Sequence, residues 1–503
     1  MGRRSLILAF VFALSFIWLG FNLYGIQVLD AQYFKAKAAV QNRGVEGERN
    51  RGTIFFADKN NNKIPAAINK EFSLIYAVPK EIEDVDGAVE FLSKLSDRPS
   101  LEIRKLLENR KSQYAPIIEK ASKDELQIVE EAKFKGVYVK NQLARLYPYN
   151  NLAAQVLGFV GFDESGDGVS GRYGTEVFYN EKLTNENDNS VELTLDRNIQ
   201  AEASVVLGGL IRDHRATGGT IIVEDPKTGK ILAMENQPSF DPNNYKSSSL
   251  KNFLNPALQS VYEPGSVLKV VTLAIGFNEG AITPETSFYD KGEVILNGKT
   301  IRNWDHKVRG WQTVANIIEK SLNTGAVFVE DKIGHKDFLD GLKRFGFGEK
   351  SGIALPGELL GNLKNLEKSK ASDIDFATAS FGQGVSVTPI QLISAVSAIA
   401  NRGVLMKPYI MNGDGPKMIR RVVSKKAAES ITLIMTSAVD KAEVAVISNY
   451  KVAGKTGTAQ IPDFVRGGYS EELIHSYVGF APASDPRFVI LIKLDKPTEA
   501  SGA

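Results

Sequence analysis

The chain has 503 residues and a mass of 55.0 kDa, which is too long for one ordinary domain of about 100–200 residues. Hydrophobic residues make up 43% of the chain, enough for a substantial core, and the net charge of +2 argues against nucleic-acid binding through a broadly basic surface. Cysteine is absent, which excludes disulfide scaffolds, thiol catalysis and Cys-type zinc sites. The four histidines are too widely spaced for an HExxH site and leave few candidates for a Ser-His-Asp triad, so acyl-transfer chemistry would need another base.

Residues 5–25 form an apolar stretch without a charge. At about 1.5 Å per residue it spans about 31 Å, the thickness of a bilayer core. Arg3 and Arg4 precede it, so the positive-inside rule predicts a cytoplasmic N-terminus. A cleaved signal peptide is the alternative, but its apolar region normally covers only about 7–15 residues. We therefore predict that residues 1–30 form a cytoplasmic tip and a single transmembrane anchor, with the bulk of the chain outside the cytoplasm.

Residues 31–190 predict an irregular α+β module. Apolar residues recur at helical spacing in 88–95, 101–107 and 123–134, and extended patterns occupy 72–78 and 136–139. Five glycines within residues 161–174 predict a loop.

Residues 191–503 predict a second domain of α/β type. An alternating strand at 191–196 is followed by a helical pattern, and turn residues at 225–229 join two strand patterns into a β-hairpin. Strand patterns return at 477–481 and 487–494, with helical patterns such as 269–276 and 389–400 between. We therefore predict a mainly antiparallel sheet that is built from both ends of the domain and flanked by helices.

The first candidate catalytic motif is the S-x-x-K pair of Ser266 and Lys269, at the start of an apolar run that predicts a buried helix. Residues three apart share a helix face, so Lys269 is expected to reach the Ser266 hydroxyl. Burial favours the neutral form of a lysine, and a neutral amine beside a serine forms a nucleophile with its own base. A second S-x-x-K, at 248–251, lies in a polar loop, and we assign it to solvent.

Two further motifs follow in the chain. Ser321-Leu322-Asn323 lies at the end of a helical pattern and offers a hydroxyl and an amide, although a plain helix-terminal polar cluster would look the same. Residues 455–458, Lys-Thr-Gly-Thr, fit a strand beside which a substrate backbone can lie, with a lysine that can hold a carboxylate. Another K-T-G, at 227–229, lies at the predicted hairpin tip, where turn geometry explains it. The order S-x-x-K, S-x-N, K-T-G makes the combination specific.

This combination resembles the serine penicillin-recognising enzymes, which comprise penicillin-binding proteins and serine β-lactamases. Further segments resemble class B penicillin-binding proteins in particular: 51–54, 145–148, 174–176, 262–269 and 380–384. The resemblance implies an α/β (α+β) multidomain fold, with a membrane anchor, a pedestal or dimerisation-type domain at 31–190 and a penicillin-binding transpeptidase domain at 191–503. Relatives usually continue with a helix packed on the sheet, so we expect the domain, which ends here at Ala503, to lack its last helix.

The resemblance also implies a catalytic role for each motif residue. Ser266 would attack the D-Ala–D-Ala carbonyl of a peptidoglycan stem peptide, with Lys269 as the base. Ser321 would pass a proton to the leaving D-alanine, and Asn323 would position the peptide. An amine from a neighbouring stem peptide would then resolve the acyl-enzyme into a cross-link, whereas penicillin would leave an ester that resolves slowly.

The K-T-G segment would bind the substrate. Lys455 and Thr456 would hold the terminal carboxylate, with Gly457 and Thr458 continuing the binding strand. The backbone N–H groups of Ser266 and Thr458 would form the oxyanion hole, an arrangement commonly worth about 10²–10³ in rate. The resemblance implies no cofactor and no metal. As partners it implies β-lactam antibiotics, a membrane-embedded glycan polymerase of the SEDS family and divisome proteins, without nucleic acid.

The sequence leaves several alternatives of function open. The segment 302–305 and Glu263-Pro264 resemble the division-specific branch, so we favour a septal role over an elongation or sporulation role. A class A β-lactamase would need E-x-x-N between the second and third motifs, and a glycosyltransferase domain would need a histidine before His214; neither is present. A D,D-carboxypeptidase is disfavoured by the pedestal and anchor, and a non-catalytic scaffold by the intact motifs.

Overall fold

The computed structural model describes residues 51–96, 98–112, 114–162, 169–185, 189–463 and 465–498. The predicted transmembrane anchor, residues 5–25, lies outside these ranges. Among the residues described, no helix is long and apolar enough to cross a membrane.

The N-terminal part is a twisted sheet covered by helices, as the mixed pattern predicted. Its elements are β1 (Ile54–Ala57), β2 (Ile64–Ala77), α1 (Val85–Ser96), α2 (Ser100–Glu108), β3 (Ala115–Ala121), α3 (Lys123–Ala132), β4 (Val137–Leu146), α4 (Ala154–Leu157), β5 (Val160–Phe162), β6 (Val169–Gly171), α5 (Gly174–Phe178), α6 (Asn180–Leu183) and β7 (Val191–Asp196). The three predicted helices correspond to α1, α2 and α3. Leu92, Ile103 and Leu107 on the first two helices pack with Ile75 of the sheet in one buried cluster.

The strand at 191–196, with which our predicted second domain begins, belongs to the N-terminal sheet. The order of that sheet is β3-β2-β1-β7, with β4 also paired to β2. β7 runs parallel to β1, and the other pairings are antiparallel. The N-terminal sheet therefore extends past residue 190, because β7 is its edge strand and pairs with β1.

Three segments quoted for the resemblance, 51–54, 145–148 and 174–176, meet in one buried ionic cluster. Glu176 accepts from Arg51 Nε at 2.7 Å, from Arg145 Nε at 2.8 Å and from the Tyr147 hydroxyl at 3.1 Å. Burial by itself raises the pKa of Glu176, but the two guanidinium groups outweigh burial and hold it below its usual range. The cluster fixes the start of β1 to the end of β4 and to α5.

The second part is built around a five-stranded antiparallel sheet. Its elements are α7 (Arg197–Asp213), β8 (Gly218–Asp225), β9 (Lys230–Gln237), α8 (Pro256–Gln259), α9 (Leu268–Asn278), β10 (Ser287–Asp290), β11 (Glu293–Leu296), β12 (Lys299–Arg302), β13 (Gly310–Thr313), α10 (Val314–Glu319), α11 (Asn323–Ile333), α12 (His335–Arg344), α13 (Lys364–Glu367), α14 (Asp373–Ala379), α15 (Pro389–Ala400), β14 (Val404–Met406), β15 (Met418–Arg421), α16 (Lys425–Ala442), β16 (Ala453–Pro462), β17 (Tyr469–Ala481) and β18 (Phe488–Asp495).

The sheet order is β16-β17-β18-β8-β9, so both ends of the domain contribute strands, as predicted. On one face, Ile221 and Val223 of β8 pack with Leu207 of α7. On the other face, Ile222 joins the main core, which also contains α9 and α15. Because side chains alternate along a strand, β8 contributes to both cores. This confirms the predicted α/β fold, and it places β16 at the edge of the sheet.

Candidate active site

Ser266 lies on a tight turn that leads into the most deeply buried helix of the site. A 3₁₀ turn, Gly265–Val267, continues directly into α9. Nine of the eleven residues of α9 are buried, because the sequence there is almost entirely apolar. Ser266 itself is half-buried, at the start of this helical segment.

Lys269 connects the first two motifs. Its side chain is completely buried, and Nζ donates to Ser266 Oγ at 3.1 Å, to the Ser321 carbonyl oxygen at 2.7 Å and to Ser321 Oγ at 3.3 Å. Burial lowers the pKa of Lys269 well below its ordinary value, and the charge of Lys455 lowers it further. A lysine amine with a depressed pKa beside a serine hydroxyl is the arrangement that activates a serine nucleophile.

Ser321 occupies a strained connection between two helices. The helix α10 ends at Glu319 and α11 begins at Asn323, one residue after the completely buried Leu322. Ser321 has a φ of +55°, in the left-handed region that side chains other than glycine rarely adopt. This conformation turns both its carbonyl and its hydroxyl oxygen towards Lys269. The buried leucine shows why the middle position of S-x-N needs no polar side chain.

Asn323, the third residue of that motif, is anchored by its amide group. Its Nδ2 donates to the Arg302 carbonyl oxygen at 2.9 Å. Behind it, the completely buried Asp290 accepts from Asn303 Nδ2 at 3.0 Å and from Thr324 Oγ1 at 2.9 Å. The network fixes the first turn of α11, and with it the position of Asn323.

The third motif lies on the edge strand. In β16 the residues Lys455 and Gly457 are buried, while Thr456 and Thr458 are exposed. Lys455 Nζ donates to the Thr456 carbonyl oxygen at 2.8 Å, and burial lowers the pKa of Lys455 to about 8. An edge strand presents backbone groups that no neighbouring strand uses, so an extended substrate can pair with it.

Glycines allow three segments to touch: the 380–384 loop, β16, and the turn at Gly265–Val267, which we call the nucleophile turn after its candidate nucleophile Ser266. Gly265 has a φ of +56°, and a Cβ there would lie 2.7 Å from the Thr458 carbonyl oxygen. A Cβ on Gly457 would lie 2.8 Å from Val267, and one on Gly382 would lie 2.2 Å from the Gly265 carbonyl oxygen. Each of these distances is shorter than real Cβ atoms tolerate, so the close approach depends on glycine.

The structure therefore brings the three motifs to one place and leaves their sequence duplicates elsewhere. The S-x-x-K copy at 248–251 lies on the surface, with Lys251 exposed, and the K-T-G copy at 227–229 forms the turn between β8 and β9. Within the described ranges, no group of three or more His, Asp or Glu side chains is placed to hold a metal ion.

Two features that hold the site residues in position were not predicted from the sequence. One is the network on Asp290, for which the segment 302–305 gave a signal only through family resemblance. The other is Glu263, a buried carboxylate directly before the nucleophile turn, which the sequence indicated only as part of the segment 262–269.

Comparison with known proteins agrees with this geometry. Residues 219–503 match the family model described as the penicillin binding protein transpeptidase domain, and residues 48–201 match the penicillin-binding protein dimerisation domain. The chain is 32% identical to "Stage V sporulation protein D" of Bacillus subtilis, over 90% of this chain and 75% of that one. It is 27% identical to "Peptidoglycan D,D-transpeptidase FtsI" of Escherichia coli, over 86% and 77%.

Further comparisons agree in both sequence and fold. "Probable peptidoglycan D,D-transpeptidase PenA" of Neisseria meningitidis is 27% identical, over 99% of this chain and 88% of its own. The crystal structure of penicillin binding protein 2X from Streptococcus thermophilus superposes with a TM-score of 0.70 at 22% identity, over 90% of this chain and 77% of that one. The matched domains define a serine acyltransferase of the transpeptidase class. With a dimerisation domain before the transpeptidase domain, the chain belongs to the class B penicillin-binding proteins.

Proposed function

We propose that the protein cross-links peptidoglycan through an acyl-enzyme on Ser266. Ser266 Oγ attacks the carbonyl carbon between the two terminal D-alanines and gives its proton to the neutral Lys269 amine. The bond between that carbon and the terminal D-alanine nitrogen then breaks, and the nitrogen takes the proton from Lys269 through the Ser321 hydroxyl, which leaves the Lys269 amine neutral again. An amine of a second stem peptide next attacks the ester carbon and gives a proton to Lys269. The bond from that carbon to the Ser266 oxygen then breaks, the oxygen takes the proton back from Lys269, and the new amide is the cross-link.

The observation that carries this proposal is the contact of the completely buried Lys269, through Nζ, with Ser266 Oγ at 3.1 Å. Desolvation lowers the pKa of the amine, so Lys269 is uncharged and can accept the serine proton without a histidine. The charge of Lys455 and the hydroxyl of Thr456 bind the substrate carboxylate. Gly457 and Thr458 lie beside the peptide, and Asn323 orients the peptide. The backbone N–H groups of Ser266 and Thr458 are assigned to the oxyanion.

The test is covalent labelling of the full-length protein in detergent with a fluorescent penicillin, read by intact mass. We expect a stable one-to-one adduct that is lost in Ser266→Ala and strongly slowed in Lys269→Ala. The surface duplicate gives matched controls, because Ser248→Ala and Lys251→Ala make the same chemical changes outside the site and should label normally. Absence of an adduct on folded protein would overturn the nucleophile assignment.

A second assay separates cross-linking from hydrolysis. With a polymerised glycan substrate that carries stem peptides, a transpeptidase yields cross-linked dimers that Ser266→Ala does not form. Release of D-alanine without dimers would instead identify a D,D-carboxypeptidase, and rapid turnover of penicillin would identify a β-lactamase.

For the cellular role we propose cross-linking at the division septum. This rests on Glu263-Pro264 and on the segment 302–305, which resemble the division branch. Sporulation is the second candidate, since a relative at 32% identity carries the name "Stage V sporulation protein D". A fluorescent fusion should gather at mid-cell during vegetative growth, and depletion should give filaments; normal growth with defective spores would favour the second candidate.

We further propose that residues 5–25 anchor the chain once in the cytoplasmic membrane, with the enzyme outside. The pedestal and then the transpeptidase domain follow along the chain, an order that the successive family matches over 48–201 and 219–503 support. In this arrangement the anchor and pedestal would contact a membrane-embedded SEDS-family polymerase and divisome proteins. Protease protection of sealed vesicles would test the topology, and co-purification from membranes would test the partners.

A further inference from the structure

Glu263 is a buried carboxylate that no step of the proposed reaction uses. It lies three residues before Ser266, and only 8% of the residue is exposed. Oε1 accepts the backbone N–H of Gly384 at 3.0 Å, and Oε2 accepts the Tyr469 hydroxyl at 2.9 Å. The two oxygens therefore bind two segments that are more than 80 residues apart in the chain.

The first of these segments, the 380–384 loop, packs directly on the nucleophile turn. Gly265 N donates to the Gly382 carbonyl oxygen at 3.1 Å, and Gly382 itself approaches too closely to carry a Cβ. At its start, the Ser380 carbonyl oxygen accepts from Thr272 of α9 at 2.7 Å. At the far end of the loop, Glu263 binds the N–H of Gly384, while Asn365 Nδ2 donates to the carbonyl oxygen of the same residue at 2.8 Å.

The second segment is the end of the β16–β17 hairpin. Tyr469 is the first residue of β17 and pairs with Pro462, the last residue of β16. Along the same strand pair lies Gly457, whose backbone approaches Val267 of the nucleophile turn. A bond from Glu263 to Tyr469 therefore fixes the hairpin that carries the K-T-G motif relative to Ser266.

We propose that Glu263 is a positioning residue for acylation: it holds the 380–384 loop and the β16–β17 hairpin against the nucleophile turn, and so sets the distance between Ser266 and the K-T-G strand. It acts through Gly384 and Tyr469. The proposal rests on the proposed function, in which Ser266 is acylated.

The test is stopped-flow acylation of the full-length protein by a fluorescent penicillin, which separates the dissociation constant of the first complex from the acylation rate constant. In Glu263→Met the side chain keeps a similar length but can accept neither bond, whereas a glutamine could still accept from Gly384 and donate to the Tyr469 hydroxyl. We expect the acylation rate constant of Glu263→Met to fall by about 10- to 100-fold, the range for displacements approaching 1 Å, with little change in the dissociation constant. Tyr469→Phe removes one bond only and should cause a smaller loss. The double variant should equal Glu263→Met alone, because the bond to Tyr469 is already lost in Glu263→Met.

The matched control is Glu358→Met. Glu358 is 7% exposed and also accepts two bonds, from the backbone N–H groups of Ser351 and Gly352 at 2.6 and 3.1 Å. A general cost of the change would therefore appear there too. We expect wild-type acylation by this variant.

Three results would overturn the proposal. These are a rate constant within twofold of wild type in Glu263→Met, an equal loss in Glu358→Met, or additive losses in the double variant. If Glu263→Met were to misfold, Tyr469→Phe alone would still decide, since it removes only the hydroxyl group that bonds to Glu263. Failure of the proposed function is distinguishable, because the wild-type protein would then form no adduct at Ser266.

Discussion

A methyl group added at Gly265 should uncouple the nucleophile turn from the K-T-G strand. Gly265 has a φ of +56°, and the new Cβ would lie 2.7 Å from the Thr458 carbonyl oxygen and 3.1 Å from the Ala459 Cβ. The first neighbour is backbone and cannot rotate away. Either the turn or β16 must therefore move in Gly265→Ala.

Two separate costs follow from these values. An alanine in the left-handed region costs about 1–2 kcal/mol in the free energy of unfolding. Relief of the contact needs a displacement of several tenths of an ångström between Ser266 and β16, and misplacement by about 1 Å commonly costs about 100-fold in rate. We therefore expect the acylation rate constant of Gly265→Ala to fall by about 10- to 100-fold.

Gly280 separates these two costs. It lies just after α9, the helix that Gly265 precedes, and has a φ of +68°. A Cβ on Gly280 would meet nothing within 4 Å. Gly280→Ala should lower the melting temperature through the same backbone cost and still react with penicillin at the wild-type rate. The assay is stopped-flow acylation beside thermal unfolding for both variants. Normal acylation by Gly265→Ala, or an equal loss of acylation in Gly280→Ala, would refute the steric argument.

Three further predictions concern charges. The acylation rate should rise with pH while Lys269 deprotonates, because the neutral amine is the base. It should fall again above about pH 8, where Lys455 loses the charge that binds a carboxylate. An acylation rate that stays level up to pH 10 would contradict these assignments. Glu176→Gln should lower the free energy of unfolding of the pedestal by about 3–5 kcal/mol in denaturant, because Arg51 and Arg145 stay buried and lose the carboxylate that both bind. The control, Glu90→Gln at an exposed ion pair, should unfold like wild type. Asp290→Asn should slow acylation by about tenfold, because it weakens the hydrogen bonds to Asn303 and to Thr324 in the first turn of α11. The control, Asp485→Asn at an exposed ion pair, should acylate at the wild-type rate. Equal rates in the two variants would show that the Asp290 network does not affect acylation.

The local features of the site were predictable because they depend on neighbours in sequence. The apolar run after Ser266 makes a buried helix, and its first turn places Lys269 beside the serine hydroxyl. The turn residues at 225–229 made the hairpin recognisable, and the duplicate motifs could be dismissed from their polar or turn settings. The order of the three motifs then indicated the family that the comparisons confirm.

The contacts that complete the site were not predictable, because they join distant segments. Ser321 meets Lys269 across 52 residues, and it does so through a left-handed conformation that a serine adopts only when its surroundings impose it. Glu263 binds residues 121 and 206 positions away. Nothing in the alternation of 191–196 indicated that this strand pairs with β1 rather than with the following sheet.

The sequence by itself thus determined which residues could react, since hydroxyl, amine and amide groups and their helical or extended settings follow from local composition. Only the tertiary structure decided which of them meet and with what pKa. Burial of Lys269 and Lys455, and hence their lowered pKa values, depends on the packing of α9, the S-x-N connection and β16 together. Desolvation is a property of the whole core, and no single segment carries it.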